Sequence, residues 1–440
     1  MGHGISFGEA FRIWLRIALL SFGGPAGQIA LMHRVLVEEK RWIGEERFLH
    51  ALNFCMLLPG PEAQQLAIYI GWLLHRVKGG LVAGILFVLP GAAAIMVLSC
   101  IYVLYGNAAP VTALFFGLKA AVVAIVFQAV VRIGGRALRT TPQRLLAVAA
   151  FLALFVSGAP FPAVVLAAGL IGFAAGRRGS NAFRSGGHGE PSKGVADADS
   201  ALGTELPAHA RGHGTLGIAA LLLALWLIPV AVIAVASPRV FGDIALFFSQ
   251  MAVVTFGGAY AVLAYVAQAA VDHYGWLRSG EMLDGLGLAE TTPGPLIIVT
   301  QFVGFLAAYR NAGALDPLLA GVLGGLLTTW VTFLPCFVWI FAGASYVERL
   351  RANRALSAAL SAITAAVVGV IANLGLWFAL HYWFNRLTPG PLALELPDLA
   401  TADWPAITLS AVALVAAFRF KLGVLPLLAG SALAGLALNL

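Results

Sequence analysis

Two identical motifs, Pro59-Gly60-Pro61 and Pro293-Gly294-Pro295, interrupt long apolar stretches of the chain. The prolines remove backbone N–H donors and the glycine loosens the backbone, so each stretch is expected to form two half-helices. The second half-helix then begins within the apolar stretch, with free N–H groups and the positive end of its dipole, which together bind anions. The alternative interpretation is a pair of structural kinks.

Uncharged polar side chains flank both motifs. Amides and hydroxyls donate hydrogen bonds to oxyanion oxygens without bringing a permanent charge into an apolar region. The flanking residues are Gln64 and Gln65 after the first motif, Thr291 and Thr292 before the second, and Thr300 and Gln301 after it. Of these, Gln64, Gln65, Thr291 and Thr292 are the candidates for anion binding.

An acidic residue also adjoins each motif: Glu62 follows the first and Glu290 precedes the second. Because an ionised carboxylate repels an anion, each residue is predicted to take up a proton and to couple protons to movement of the anion. The alternative for Glu62 is a fixed charge that the free N–H groups of a helix N-terminus stabilise.

A second repeated pattern places paired glycines after a hydroxyl residue, in Ser21-Phe22-Gly23-Gly24-Pro25 and in Thr255-Phe256-Gly257-Gly258. Exposed N–H groups at paired glycines form concave anion-binding nests. Glycine also lets helices pack closely, which is the alternative interpretation. The candidate binding residues of this pattern are Ser21, Gly23, Gly24, Gln28, Thr255, Gly257 and Gly258.

Lys119 lies inside the apolar segment 110–131. A lysine at membrane depth is costly, which makes it a candidate for substrate binding. It could instead pair with a glutamate or extend its ammonium group to the membrane interface. The equivalent residue of the second half is Thr364, so Lys119 is not part of the repeated pattern.

The composition places these motifs in a membrane. Hydrophobic residues make up 60% of the 440 residues and charged residues 11%, with a mean hydropathy of +0.90. A soluble globular protein needs a more polar surface, and many apolar stretches are long enough to cross a hydrocarbon layer about 30 Å thick. The expected fold class is an all-α polytopic membrane protein in a lipid bilayer.

Other classes of site are not indicated. The three cysteines are far apart and lack metal-ligand spacing, so they are predicted to be small buried hydrophobic residues. The net charge of +7 comes from basic loops and calls for no nucleic-acid partner. No catalytic residue, metal or cofactor is predicted, and the sequence leaves the oligomeric state open, with a homodimer as one alternative.

The chain contains an internal duplication. Phe22-Gly23-Gly24 and Pro59-Gly60-Pro61 recur at an offset of 234 residues, and later matches, such as Leu89-Pro90 with Leu334-Pro335, recur at 245. Ordered matches with one change of length indicate two homologous halves. The predicted domains are an N-terminal membrane repeat (1–176), a flexible cytoplasmic linker (177–215), and a C-terminal membrane repeat (216–440) with an extra leading helix (216–236).

Thirteen apolar segments are predicted, and three of them, 48–74, 241–270 and 282–309, are broken by the motifs. Those of the first half are 11–32, 48–74, 80–104, 110–131, 145–158 and 160–176, and those of the second are 216–236, 241–270, 282–309, 317–343, 356–380, 404–418 and 422–440.

Basic loops predict the orientation, because cytoplasmic loops are enriched in Lys and Arg. In the first half, the Arg-rich loop 132–144 alternates with the neutral loop 105–109, which predicts a cytoplasmic linker. In the second half, the equivalent of 105–109 is the basic loop 344–355. The halves are therefore predicted to have inverted topology, an arrangement typical of secondary transporters. Loop 33–47 has mixed charge, so the sequence does not decide whether 11–32 and 48–74 cross or re-enter the membrane.

Five stretches resemble the chromate ion transporter family, in its long-chain, two-domain form. They cover the motifs of both halves: SFGGPAGQIA (21–30), RWI (41–43), LLPGPEAQQLAIYIG (57–71), TFGGAYAVLAY (255–265) and LAETTPGPLIIVTQFVG (288–304).

This resemblance implies export of chromate from the bacterial cytoplasm, energised by the proton motive force, and location in the inner membrane. Ala259 stands where the first half has Pro25, so the two glycine patterns need not act alike. A carrier of sulfate or a related tetrahedral oxyanion, an anion channel, and a membrane reductase remain alternatives. The reductase lacks haem, flavin and iron–sulfur ligand patterns.

Overall fold

The computed structural model describes residues 4–183, 194–204, 207, 209, 214–256, 258–344, 353–392 and 394–439. These residues form sixteen α-helices and one two-stranded antiparallel sheet. The helices are α1 (Phe7–Leu20), α2 (Gly24–His33), α3 (Glu45–Cys55), α4 (Glu62–Tyr105), α5 (Ala109–Ala137), α6 (Thr141–Ser157), α7 (Phe161–Arg177), α8 (Leu216–Ala236), α9 (Arg239–Val254), α10 (Ala259–Gln268), α11 (Ser279–Thr291), α12 (Val299–Arg310), α13 (Pro317–Gly343), α14 (Arg354–Trp383), α15 (Trp404–Phe418) and α16 (Val424–Asn439), and the strands are β1 (Leu387–Pro389) and β2 (Glu395–Pro397).

Five of the described helices, α4, α5, α8, α13 and α14, are long and apolar enough to cross a membrane. Their outward faces carry large apolar side chains, as on α8, where Ile228 is 62% and Val235 is 89% exposed. In water such a surface would be unfavourable, whereas lipid solvates it. The chain therefore has the all-α polytopic membrane fold that its composition predicts.

Helices end and begin at the repeated motifs. The predicted segments 11–32, 48–74, 241–270 and 282–309 are each divided between two helices, at 21–23, 56–61, 255–258 and 292–298. Two π-helical stretches, Arg34–Glu39 and Ala269–His273, follow α2 and α10 at equivalent places.

Helix α4 contains a turn that the sequence places between two predicted segments. His75 and Arg76 have non-helical backbone angles, and Gly71 and Gly79 are in close contact. In a straight helix residues eight positions apart would be separated by about 12 Å. The two arms of α4, before and after this turn, therefore fold back on each other.

The chain divides into two compact units, and each unit draws on both sequence halves. Unit 1 comprises Met1–Met96, Gly187–Ala259 and Thr292–Asn353, and unit 2 comprises Val97–Gly186, Tyr260–Thr291 and Arg354–Leu440. In unit 1, α13 packs against α8, α9 and α12; in unit 2, α14 packs against α5, α6 and α7. The compact units thus cut across the predicted domains 1–176 and 216–440.

In unit 1, α1 and α2 form a hairpin. Lys40, beyond the end of α2, pairs with Glu9 in the first turn of α1, with 3.1 Å between Nζ and Oε1. Arg16 pairs with Glu39 at 2.9 Å. His75, at the turn of α4, contacts the carbonyl of Ile5. Because the chain returns to the end at which it entered, the contacts favour the re-entrant alternative for 11–32 and 48–74.

Part of the linker packs against the start of α3. The N–H of Glu45 donates to the carbonyl of Val195 at 2.9 Å, and Nη2 of Arg47 donates to the carbonyl of Thr204 at 2.8 Å. Arg47 is 9% exposed. Residues 194–204 of the predicted linker 177–215 therefore contact residues at the end of loop 33–47.

Candidate functional site

The glycine and Pro-Gly-Pro breaks of the two halves meet in unit 1 through a pair of crossed hydrogen bonds. The N–H of Gly60 donates to the carbonyl of Thr255 at 2.8 Å, and the N–H of Gly294 donates to the carbonyl of Ser21 at 2.8 Å. Thr255 corresponds to Ser21, and Gly294 to Gly60, at the offset of 234. Each Pro-Gly-Pro motif of one half is therefore joined to the glycine pattern of the other.

The hydroxyls of Ser21 and Thr255 bond within their own helices. Ser21 Oγ donates to the carbonyl of Ile17 at 2.7 Å, and Thr255 Oγ1 donates to that of Met251 at 2.6 Å. Both residues are buried. Their contribution to the site is to place the carbonyls that receive the crossed hydrogen bonds.

The paired glycines adopt backbone conformations that other residues avoid. Gly23 and Gly24 have φ of 83° and 72°, and no atom lies within 4 Å of the position that a Cβ would take on either. Gly258 has φ of 100°, and its Cβ position would lie 3.9 Å from Oε1 of Glu62. Gly257 lies outside the described residues.

The first Pro-Gly-Pro motif leads into the N-terminus of α4, where three candidate residues follow one another. Glu62 begins the helix. Gln64 and Gln65 are both fully buried. Gln65 Nε2 donates to the carbonyl of Pro59 at 2.7 Å, whereas its Oε1 has no partner among the described residues. Gln64 has no partner there for either of its amide atoms.

Two glutamine side chains lie beside the second Pro-Gly-Pro motif, and the Nε2 donor of each is engaged, although Gln28 Oε1 has no partner among the described residues. Gln28 Nε2 donates to the carbonyl of Gly294 at 2.5 Å. Gln301, in the first turn of α12, donates to the carbonyl of Ala92 and accepts from Thr329 Oγ1, both at 2.8 Å. Thr292 is buried beside the motif. The sequence placed Gln301 among the polar residues that flank this motif, and its contacts show that both of its amide atoms are engaged.

Thr291 lies in unit 2, is exposed, and donates its hydroxyl to the carbonyl of Leu288 at 2.8 Å. Because unit 1 begins again at Thr292, the chain passes from one unit to the other directly before the second Pro-Gly-Pro motif. Thr291 is therefore not among the residues that unit 1 brings together.

Lys119 lies in unit 2 and forms an ion pair. Its Nζ is 3.3 Å from Oδ1 of Asp284, and Tyr102 donates its hydroxyl to Oδ2 of the same carboxylate at 2.9 Å. Lys119 thus pairs with an aspartate. Sequence analysis missed Asp284, although an acidic residue within the predicted segment 282–309 is the signal that could have identified it.

Glu290 is also in unit 2 and is 3% exposed. Tyr260 donates its hydroxyl to Oε1 of Glu290 at 2.6 Å, and Arg132 adds a favourable positive charge. The two predicted proton-coupling residues, Glu62 and Glu290, thus belong to different units, and their settings differ: Glu290 has a hydroxyl donor and a cation, whereas Glu62 begins a helix.

Unit 2 also contains a cavity of about 180 Å³ near the turn between α6 and α7. Tyr265, Asp272, Trp377 and Glu395 are among its lining residues. Burial raises the pKa of Asp272, the Glu395 carboxylate raises it further, and His381 lowers it. None of the sequence-predicted binding residues lines this cavity.

The fold and the site define a multi-pass membrane transporter with paired broken helices. The chain belongs to the chromate transporter family, whose model matches residues 8–173 and 242–436, one stretch in each half. The presence of both stretches in one chain makes it the long-chain type, and its place is the bacterial inner membrane.

Named relatives match over nearly the whole chain. A chromate transport protein of Pseudomonas aeruginosa is 30% identical over 98% of this chain and 92% of its own length. A chromate transport protein of Cupriavidus metallidurans is 27% identical over 96% and 91%. A probable chromate transport protein of Synechococcus elongatus is 27% identical over 84% and 83%. No solved structure matches the chain.

Proposed function

We propose that the protein is a secondary transporter that exports chromate from the cytoplasm and thereby confers chromate resistance. The proposal rests on the crossed hydrogen bonds in unit 1. In them each Pro-Gly-Pro motif bonds to the glycine pattern of the other half, Gly60 to Thr255 and Gly294 to Ser21. These bonds bring the half-helix ends of both halves together with the buried amides of Gln64 and Gln65, and such groups bind oxyanions. Family membership and the names of the relatives support chromate as that anion.

The direction of transport follows from charge. A dianion that leaves a cell with a negative interior moves down the voltage, which contributes about 4.6 kcal/mol per 100 mV. That free energy sustains roughly a thousandfold concentration ratio without a proton. A proton gradient coupled through Glu62 and Glu290 would be a second source of energy.

Sulfate or another tetrahedral oxyanion is the alternative substrate. The candidate donors of unit 1 are neutral amides and backbone N–H groups, and such donors discriminate poorly between two tetrahedral dianions of similar size. In either case the protein acts as a carrier and not as an enzyme. The saturable, uphill flux of a carrier separates it from a channel.

The test is accumulation of labelled chromate in inside-out membrane vesicles, with voltage and pH gradients imposed separately and sulfate as competitor. We expect accumulation when the vesicle interior is made positive, since that is the polarity of export. Vesicles that lack the protein provide the control. If neither gradient drives accumulation, in vesicles where another transporter works, chromate export by this protein is contradicted. Uptake of sulfate in the same vesicles would then identify the alternative.

A further inference from the structure

Gln64 is an unusual residue because its whole amide is buried without a partner in the described part of the chain. It is 0% exposed, and neither Nε2 nor Oε1 forms a hydrogen bond with any residue that the structure describes. Burying an amide without a partner is unfavourable, and folded proteins rarely retain one. Such a residue in a transporter is best explained by a ligand that completes its hydrogen bonds.

The position of Gln64 indicates the kind of ligand. It is the third residue of α4, and helical side chains lean towards the helix N-terminus. The first N–H to bond back in this helix is that of Gln65, to the carbonyl of Pro61 at 3.1 Å. The N–H of Glu62 bonds to its own carboxylate, so the N–H groups of Ala63 and Gln64 are the orphan donors of this helix start, and Gln64 Nε2 adds a side-chain donor to them. An oxyanion accepts from both kinds of donor.

The second break lacks these features, although its motif is identical. A 3₁₀ turn, Leu296–Ile298, follows Pro295, and the N–H of Val299 bonds back to that turn. Gln301 uses both amide atoms on Ala92 and Thr329. Phe87 and Gly91 pack against Gly294, and the carbonyl of Pro293 is in close contact with Gly91.

We propose that the transported oxyanion binds at the first break and not at the second, with Gln64 as the side chain that determines its affinity. This inference rests on the proposed function and narrows its site. The N-terminus of α4 supplies backbone donors, Gln64 supplies the amide, and the break at Pro293–Pro295 is a fixed brace that positions Ser21. The two repeats then share an architecture but differ in role, since one break binds the ion and the other supports the site.

Equilibrium binding of radiolabelled chromate to the purified full-length protein tests the inference. We expect Gln64→Leu to weaken binding at least tenfold, because it removes a buried donor to the ion. Gln64→Glu should abolish binding, since a carboxylate would face the anion. The matched variant is Gln301→Leu, measured at a temperature where it is folded, and we expect less than a twofold change. Equal losses at the two positions would overturn the inference, as would unchanged binding by Gln64→Leu.

Two further comparisons keep the test decisive. If Gln64→Leu does not fold, Gln64→Asn replaces it in the test. Asparagine retains the amide on a side chain that is one methylene shorter, so binding should weaken severalfold. Unchanged affinity overturns the inference. If the wild-type protein binds labelled sulfate but not chromate, and Gln64→Leu weakens sulfate binding, the proposed substrate is wrong while the site is supported. If the wild-type protein binds neither anion, the site is contradicted.

Discussion

The two Pro-Gly-Pro breaks share a motif and a place in the repeat, yet their surroundings differ. At the first, Gln64 is buried without a partner, and the residue packed against Gly60 is Cys336. At the second, Gln301 is fully bonded, and the packed residue is Gly91, which corresponds to Cys336 at the offset of 245. A duplicated motif thus specifies a backbone shape, whereas the neighbouring residues determine whether hydrogen-bond donors remain free there.

The largest effect is expected from valine at the central glycines. Gly60 has φ of 120°, and a Cβ there would lie 2.9 Å from Gln65 Nε2 and 3.0 Å from Cys336 Sγ. Backbone strain of about 1–3 kcal/mol adds to this crowding. We expect Gly60→Val to abolish chromate transport in vesicles.

Gly294→Val is the matched variant at the second break, where φ is 104° and the nearest atom to a Cβ would be the carbonyl oxygen of Phe87 at 3.4 Å. We expect a loss of stability of about 2–3 kcal/mol and loss of transport, because Gly294 places Ser21. Normal chromate affinity in both valine variants would leave the breaks as structural kinks alone.

Substitution of Gln64 and of Gln301 should separate effects on stability from effects on binding. Gln301→Leu leaves the carbonyl of Ala92 without its donor, at about 1–3 kcal/mol, whereas the hydroxyl of Thr329 keeps its hydrogen bond to the carbonyl of Gly325. Gln64→Leu replaces an unpartnered amide by an apolar group and should change stability by less than about 0.5 kcal/mol, or increase it. Thermal unfolding in detergent without oxyanion measures both. A larger loss in Gln64→Leu would show that its amide has a structural partner.

The pH dependence should differ between the two acidic residues. Deprotonation of Glu62 places a negative charge at the start of α4, so chromate affinity should fall as pH rises, by about tenfold between the two protonation states. Chromate also takes up a proton in this pH range, equally for every variant, so the variants are compared with each other at each pH. Glu62→Gln should remove the part of the dependence that belongs to Glu62 and leave the protein folded. Glu290 already has Tyr260 and Arg132 beside it, so Glu290→Gln tests the second proton role. Binding measured from pH 5 to 8 is the readout; an unchanged profile in Glu62→Gln contradicts its role in proton uptake.

The smallest effect is expected at Ser21 and Thr255. Each side chain bonds to a carbonyl of its own helix, and the crossed hydrogen bonds use backbone atoms that alanine retains. Ser21→Ala and Thr255→Ala should each cost about 1 kcal/mol or less and leave affinity within twofold. A loss of binding beyond tenfold in either variant would show that the hydroxyl contacts the ion.

Local patterns predicted the helices because apolar runs and Pro or Gly interruptions are encoded residue by residue. The predicted segment 216–236 coincides with α8, and 317–343 with α13. Gly60 and Thr255 lie far apart in the chain, and no local sequence pattern predicts the hydrogen bond between them. The same holds for Lys119 and Asp284, whose ion pair depends on how α5 and α11 pack in unit 2.

Part of the candidate site could likewise not be predicted from the sequence. The motifs predicted which glutamines and glycines could meet an anion, but equal motifs predicted equal roles for the two breaks. Which amides are already engaged is a property of the packed chain. Gln28 illustrates the point, because its predicted binding role is replaced in part by a hydrogen bond to Gly294, while its Oε1 has no partner among the described residues.

The most direct test of the division between the breaks is an anomalous-scattering map of crystals of the full-length protein with chromate, recorded at the chromium absorption edge. We predict one chromium peak at the N-terminus of α4, placed so that a chromate oxygen accepts a hydrogen bond from Gln64 Nε2, and none at Pro293–Pro295. A peak at the second break, or equal peaks at both, would contradict the assignment.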